Sequence, residues 1–201
     1  MYPLRQHLLG PDEPSPITVL RADAASPFLL ACEHAGARIP RRLGDLGLPA
    51  SDLTRHIAWD IGAGAVSCLL GEALGATTTL QTYSRLVIDC NRSPEVASSI
   101  VEVSEDTPIP GNIGLGAAER QARLGEIFTP YHDRLAALLD ARAGDGRPTL
   151  LIAMHSFTPV YRGEQRRWHA GVLYNRDHRL ARPLLDLLRA EGDLIVGDNE
   201  P

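Results

Sequence analysis

A chain of 201 residues with 44% hydrophobic and 22% charged residues is long enough to bury a core and too apolar to be a disordered segment. Its formal net charge of -5 leaves no electrostatic footprint for nucleic acid or an anionic membrane. All 20 basic residues are arginine, which removes lysine Schiff-base chemistry and the phosphate-binding lysine of a P-loop.

The N-terminal stretch MYPLRQHLLGPDEPSP has no apolar h-region, so it does not read as a signal peptide. No apolar run approaches the roughly 20 residues that span a bilayer. Cys32, Cys68 and Cys90 fit neither a CxxC nor a disulfide pattern and read as free thiols of a reducing cytoplasm. PFLLAC, at 27–32, is a continuous apolar run that suits a buried parallel strand. Residues 51–74 begin at a Ser51 or Asp52 cap and read as helix, weakened in the middle by Gly62 and Gly64. Two β-rich segments follow, ATTTLQTY at 76–83 and SRLVIDC at 84–90. Residues 102–116, with Pro108, Pro110 and Gly111, read as a surface loop.

An amphipathic helix is expected over 116–142, ending near Gly144. TLLIAM and GVLYN are further strands, and DHRLARPLLDLLRAEG is a helix if Pro183 lies near its first turn. LIVGD is the last strand. Strands alternating with helices imply an α/β fold with a largely parallel sheet, here as one domain over residues 1–201.

Four apolar strands run directly into polar clusters. PFLLAC ends in Glu33-His34-Ala35-Gly36; RLVIDC, with Asp89, ends in Asn91-Arg92; TLLIAM ends in His155-Ser156; GVLYN ends in Asn175-Arg176-Asp177. Ligands of open parallel sheets bind outside the carboxyl ends of the strands, so these clusters mark the candidate site. His34 and His155 are the natural metal ligands, because a catalytic zinc takes three protein donors and leaves one position open. The third donor is expected to be a carboxylate or a further histidine: Asp60, inside the apolar segment HIAWDIGAG, is preferred, and Glu33, next to His34, competes with it. His56, four residues before Asp60, would share its helix face, either behind the ligands or merely packed. Arg85, Asn91 and Arg92 suit a clamp for a substrate carboxylate, unless Arg92 simply pairs with Asp89. Arg176 suits a second carboxylate. Arg166, Arg167 and Trp168 read as a solvated turn or a substrate-side loop.

Taken in order, CEHAGARIP, HIAWDIGAG, SRLVIDCNRSP, IAMHSFTP, GVLYNRD and VGDNEP resemble the N-formylglutamate amidohydrolase family, from residue 27 onward. That family is similar to the zinc carboxypeptidases and aspartoacylase-like deacylases. The resemblance implies a three-layer α/β/α fold of the phosphorylase/hydrolase type, a mixed, mostly parallel sheet, and one catalytic zinc. It also implies that DCNR binds the substrate carboxylate and that MHS carries the second histidine ligand. One departure is that Ala37, not an acid, stands three residues after His34, where the carboxypeptidases have a His-x-x-Glu pair. Another is that relatives continue past a GDNEP-like stretch into a strand bearing a glutamate, which implies a C-terminal segment beyond Pro201 and leaves Glu200 as the last acid for the general base.

The implied reaction is zinc-dependent hydrolysis of a small N-acyl amino acid, N-formylglutamate to formate and glutamate. Arg85 or Arg92 would stabilise the oxyanion. The partner is that small molecule, with no nucleic acid and no membrane. The alternatives are a deacylase or peptidase for a related substrate, or a binding homologue that has lost turnover.

Overall fold

A computed structural model describes residues 7–200. They fall into two compact units that divide between Ser156 and Phe157.

The first unit is built on a four-stranded sheet of order β1-β3-β2-β6, from β1 (Ile17–Leu20), β2 (Phe28–Cys32), β3 (Thr77–Gln81) and β6 (Leu150–Ala153). β2 pairs parallel with both β3 and β6, and β1 closes one edge antiparallel to β3. Leu29, Leu30, Ala31 and Cys32 are all buried, as a central parallel strand requires. The buried threonines of β3 are β-branched, which suits a pleated surface, and their hydroxyls are used: Thr77 donates to Arg21 O, and Thr79 to Leu30 O. The sheet is mixed and open, with no barrel.

Two helical expectations divide differently. Residues 51–74 hold a short α1 (Ala50–Leu53) and α2 (Ala63–Ala73), with turns between them. Gly62, at φ 82°, adopts a left-handed conformation that ends any continuous helix. His56 and Asp60 therefore share no helix face, and His56 instead pairs with Glu105 Oε1 at 3.1 Å. The 102–116 loop carries a small hairpin of β4 (Val103–Ser104) and β5 (Thr107–Pro108). The helix expected over 116–142 is α3 (Ala117–Arg123), one wide π turn (Leu124–Phe128) and α4 (Thr129–Gly144) in unbroken succession. Pro130 has no N–H for the carbonyl four residues back, and its ring crowds that carbonyl; the π turn before it absorbs the misfit.

Residues 84–90 are not a strand. Leu86, Val87 and Ile88 are fully buried, so the run has the composition of a strand. Its backbone groups are satisfied by other means. Ser84 N donates to Arg38 O, Arg85 N to Ala58 O, and Asp89 N to Ser99 O. Leu86 O accepts from Asn112 Nδ2 at 2.8 Å, and Val87 O accepts from Arg123 Nη1 at 3.0 Å. Arg123 is itself fully buried and also donates to Asn112 Oδ1 and Gly111 O. Burial pushes its pKa down to about 10, so it stays charged at neutral pH. Arg142 plays a similar part under the sheet, donating to Ala24 O, Ser26 O and Thr149 Oγ1 at the starts of β2 and β6.

The second unit contains a hairpin of β7 (Val160–Tyr161) and β8 (Glu164–Gln165), a parallel pair of β9 (Ala170–Val172) and β10 (Val196–Asp198), and α5 (Ala181–Ala190). Pro183 falls in the first turn of α5, where its missing N–H costs nothing. Val172, Ala181 and Leu185 form its small core. Arg162 and Gly163 both have positive φ, which gives the tight turn that matches the twist of a two-residue hairpin. No helix among the described residues is long and apolar enough to cross a membrane.

Replacing Arg123 with Met strands three acceptors, two of them fully buried carbonyls or amides. The expected loss is about 2–4 kcal/mol of folding stability, read as a lower midpoint in urea denaturation.

Candidate metal centre

β2 ends at Cys32, and Glu33 and His34 follow it directly. Asp60 N donates to His34 O at 3.0 Å, which clips the 54–62 turn onto the strand end. On the neighbouring strand, Met154 N donates to Ala31 O at 2.7 Å, so pairing continues past β6 and delivers His155. Gly36 makes the exit from β2 possible: a Cβ there would collide with the carbonyl of Thr82. The 84–90 segment brings in Arg85 and Asp89.

These pieces converge. His34, Asp60 and His155 each place one donor atom within 4.8 Å of the other two. Asp60 Oδ2 is the hub, 2.8 Å from His155 Nδ1 and 3.5 Å from His34 Nδ1. The far edge of the His34 ring is held by Asp89, Nε2 to Oδ1 at 2.7 Å. Arg85 bridges the two aspartates, with Nη1 3.3 Å from Asp60 Oδ1 and Nη2 3.0 Å from Asp89 Oδ2. Arg92 Nε reaches Asp89 Oδ2 only at 3.9 Å, so Arg85 is the closer partner of that aspartate. Asn91 Nδ2 lies 3.4 Å from His155 Nε2. Glu33 is not in the donor set; its Oε2 lies 3.7 Å from His155 Nε2, at the other edge of that ring.

The electrostatics follow from burial. Glu33, Asp60 and Asp89 are all buried carboxylates, and one bridging guanidinium faces two of them. Burial pushes Asp60 upward, but the hydrogen bond with His155 and the nearby His34 ring outweigh it and hold the carboxyl well below the usual range. Burial likewise opposes charge on His34, yet Asp60 and Asp89 override it and raise its pKa. Asp89 is lowered by His34 and Arg85 against the same burial penalty. Protonated imidazole thus supplies positive charge that the acids demand.

A divalent cation fits the same demand. Two imidazoles and a carboxylate are the donor chemistry of a catalytic zinc, and tetrahedral bonds of about 2.0 Å put donor atoms about 3.3 Å apart. The Asp60–His separations of 2.8 and 3.5 Å bracket that figure. His34 Nδ1 is buried without a hydrogen-bond partner and lies 3.5 Å from Asp60 Oδ2, so this nitrogen is available as a donor to a shared cation.

The pairing of Asp89 with His34 is not visible in the sequence, where an acid closing an apolar run signals only a partner for the nearby Arg92. Arg176 and Glu200 lie in the second unit, where the backbone of Glu200 packs over Gly171 and Gly197. The three cysteines are free thiols, and burial pushes Cys32 up to about 11 and Cys90 up to about 12, which leaves both inert.

A sequence profile of the N-formylglutamate amidohydrolase family matches residues 26–201. An N-formylglutamate deformylase of Pseudomonas aeruginosa is 29% identical over 147 residues, 65% of this chain and 52% of that protein. The chain thus spans about half the length of this curated relative. The crystal structure of a gene product of Agrobacterium tumefaciens is 44% identical with a TM-score of 0.92, covering 97% of this chain and 77% of that one. The structure of an N-formylglutamate amidohydrolase from Ralstonia eutropha has a TM-score of 0.72 at 20% identity, covers 93% and 77%, and shows the fold alone.

The opposite shifts set a pH window for the chelator-treated protein. The raised His34 contributes stability that is complete below its ordinary 6.5 and lost as pH rises through its folded value. The depressed Asp60 and Asp89 contribute stability that is complete above 3.8 and lost as pH falls through theirs. Calorimetric melting temperatures in EDTA are therefore expected to be highest between pH 3.8 and 6.5 and to fall on both sides.

Proposed function

The chain belongs to the N-formylglutamate amidohydrolase family, and from that membership we propose that it is a zinc-dependent amidohydrolase that cleaves N-formylglutamate to formate and glutamate. The observation that carries this reading is the convergence of His34, Asp60 and His155 beside an Arg/Asn cluster. The chemistry a zinc ion supplies there is Lewis acidity toward the acyl carbonyl and a lowered pKa for water. His34 Nδ1, His155 Nδ1 and Asp60 Oδ2 would hold it.

The rest of the reaction is done by the chain's own groups. Arg92, exposed by 54% and only loosely tied to Asp89, offers its planar fork to the α-carboxylate of the substrate, with Asn91 as a neutral donor. Arg85 is committed to Asp60 and Asp89, yet a guanidinium has five N–H donors, and those left over face developing negative charge on the acyl oxygen. The transfer of a proton from water to the leaving amine falls to a carboxylate acting as general base. Free thiols agree with a cytoplasmic setting.

Elemental analysis of the purified chain together with a formate-release assay tests this directly. His155→Ala is expected to lose both stoichiometric zinc and activity; a folded variant that keeps both sinks the reading. Arg92→Met is expected to raise KM about 10–100-fold while zinc content stays unchanged.

A further inference from the structure

One buried carboxylate atom at the site has no task in the scheme so far. Glu33 Oε2 is buried and makes no hydrogen bond, although its side chain is nine-tenths buried. A lone carboxylate oxygen in that position costs free energy unless some donor reaches it. The donor beside it is His155 Nε2, at 3.7 Å, a few tenths of an ångström beyond hydrogen-bond range.

The sheet register explains the encounter. Parallel pairing of β2 with β6 sets Leu29 opposite Leu151 and Ala31 opposite Ala153, and the Met154 N to Ala31 O bond carries the register further. Glu33 and His34 follow Cys32 in the turn that leaves β2, and His155 follows Met154 just past β6, so the two neighbouring strand ends bring Glu33 and His155 together.

The tautomer supplies the need. In the zinc reading above, on which this inference rests, His155 presents Nδ1 beside Asp60 Oδ2. An imidazole that gives its Nδ1 lone pair to a cation carries its remaining proton on Nε2, and that N–H needs an acceptor. Two groups stand near Nε2. The Asn91 Nδ2 amine, at 3.4 Å, is a donor and suits only the other tautomer, in which Nδ1–H points at Asp60. Glu33 Oε2 is the acceptor.

We propose that Glu33 is a positioning residue: its carboxylate accepts the Nε2–H of His155 and fixes that ring with Nδ1 turned toward Asp60 and His34. Asp89 does the same for His34 from its own Nε2 edge, at 2.7 Å. Each imidazole then has one outer carboxylate, and Glu33 stands outside the coordination sphere instead of competing with Asp60 for it.

The test compares wild type, Glu33→Ala and Glu33→Gln. Zinc affinity is measured by competition with a chromophoric chelator, and the ring tautomer by long-range ¹⁵N–¹H correlation on zinc-loaded, ¹⁵N-histidine-labelled protein. Glu33→Ala is expected to keep one zinc per chain, bind it about 10–100-fold more weakly, and lose the slowly exchanging Nε2–H resonance of His155. Glu33→Gln, whose amide oxygen accepts the same proton, is expected to recover most of the affinity and keep the resonance, shifted upfield because the acceptor is neutral. If the alanine variant does not fold, the glutamine shift carries the test. Unchanged affinity in the alanine variant, or an unshifted proton in the glutamine variant, overturns the proposal. So does loss of zinc from both Glu33 variants while Asp60→Ala retains it, since Glu33 would then be a ligand. Wild-type protein that takes up no zinc overturns the underlying reading before any variant is compared, and is told apart from the other failures by that.

Discussion

Three carboxylates are buried within a few ångströms of two parallel strand ends, and nearly everything in the first unit bears on keeping them there. Isolated, each would be far too costly in a low-dielectric interior, and would neutralise or expel its segment into water. Arg85 spans Asp60 and Asp89, and the His34 and His155 rings close the remaining side. Removing Arg85 leaves uncompensated charge beneath the surface, so the cluster persists or fails as a unit. The same imbalance that a proton meets on His34 is what makes the position attractive to a doubly charged ion.

Holding such a cluster needs a rigid surround. The 84–90 segment, which carries Arg85 and Asp89, has no strand partner to fix it. Its carbonyls are pinned instead by Asn112 and the buried Arg123, at the end of α3. Arg142 pins the other end of β2 and β6, the strands that carry Glu33, His34 and His155. Two buried guanidiniums, neither near the reactive groups in sequence, thus set the frame from opposite sides. Each works by filling acceptor sites that a regular sheet would have filled with backbone N–H.

This division explains what could be read from residue order. β2, β3 and β6 were legible because continuous apolar or β-branched runs have few other uses in a chain of this length. His34, Asp60 and His155 were legible as polar residues stranded at the ends of, or inside, apolar stretches. SRLVIDC has the same composition as those strands and is not one, because its hydrogen bonds are made with scattered loop carbonyls and with the side chains of Asn112 and Arg123, the latter 36 residues away, a relation no local pattern encodes. No single helix runs through His56 and Asp60, because Gly62 adopts a left-handed backbone and caps the start of α2, where composition alone marks only a weak point. Asp89 was visible as an acid, but its partner was decided by how the segment turns and not by its neighbours in the chain.

The two imidazoles at the centre are unequally sheltered: the side chain of His34 is 2% exposed, that of His155 33%. Under the zinc reading, an ion entering from solvent would meet His155 first and His34 last, so its uptake would proceed ligand by ligand. A competing chelator would reach the ion from the exposed side, so exchange would depend on the reach of the competitor as well as on its strength.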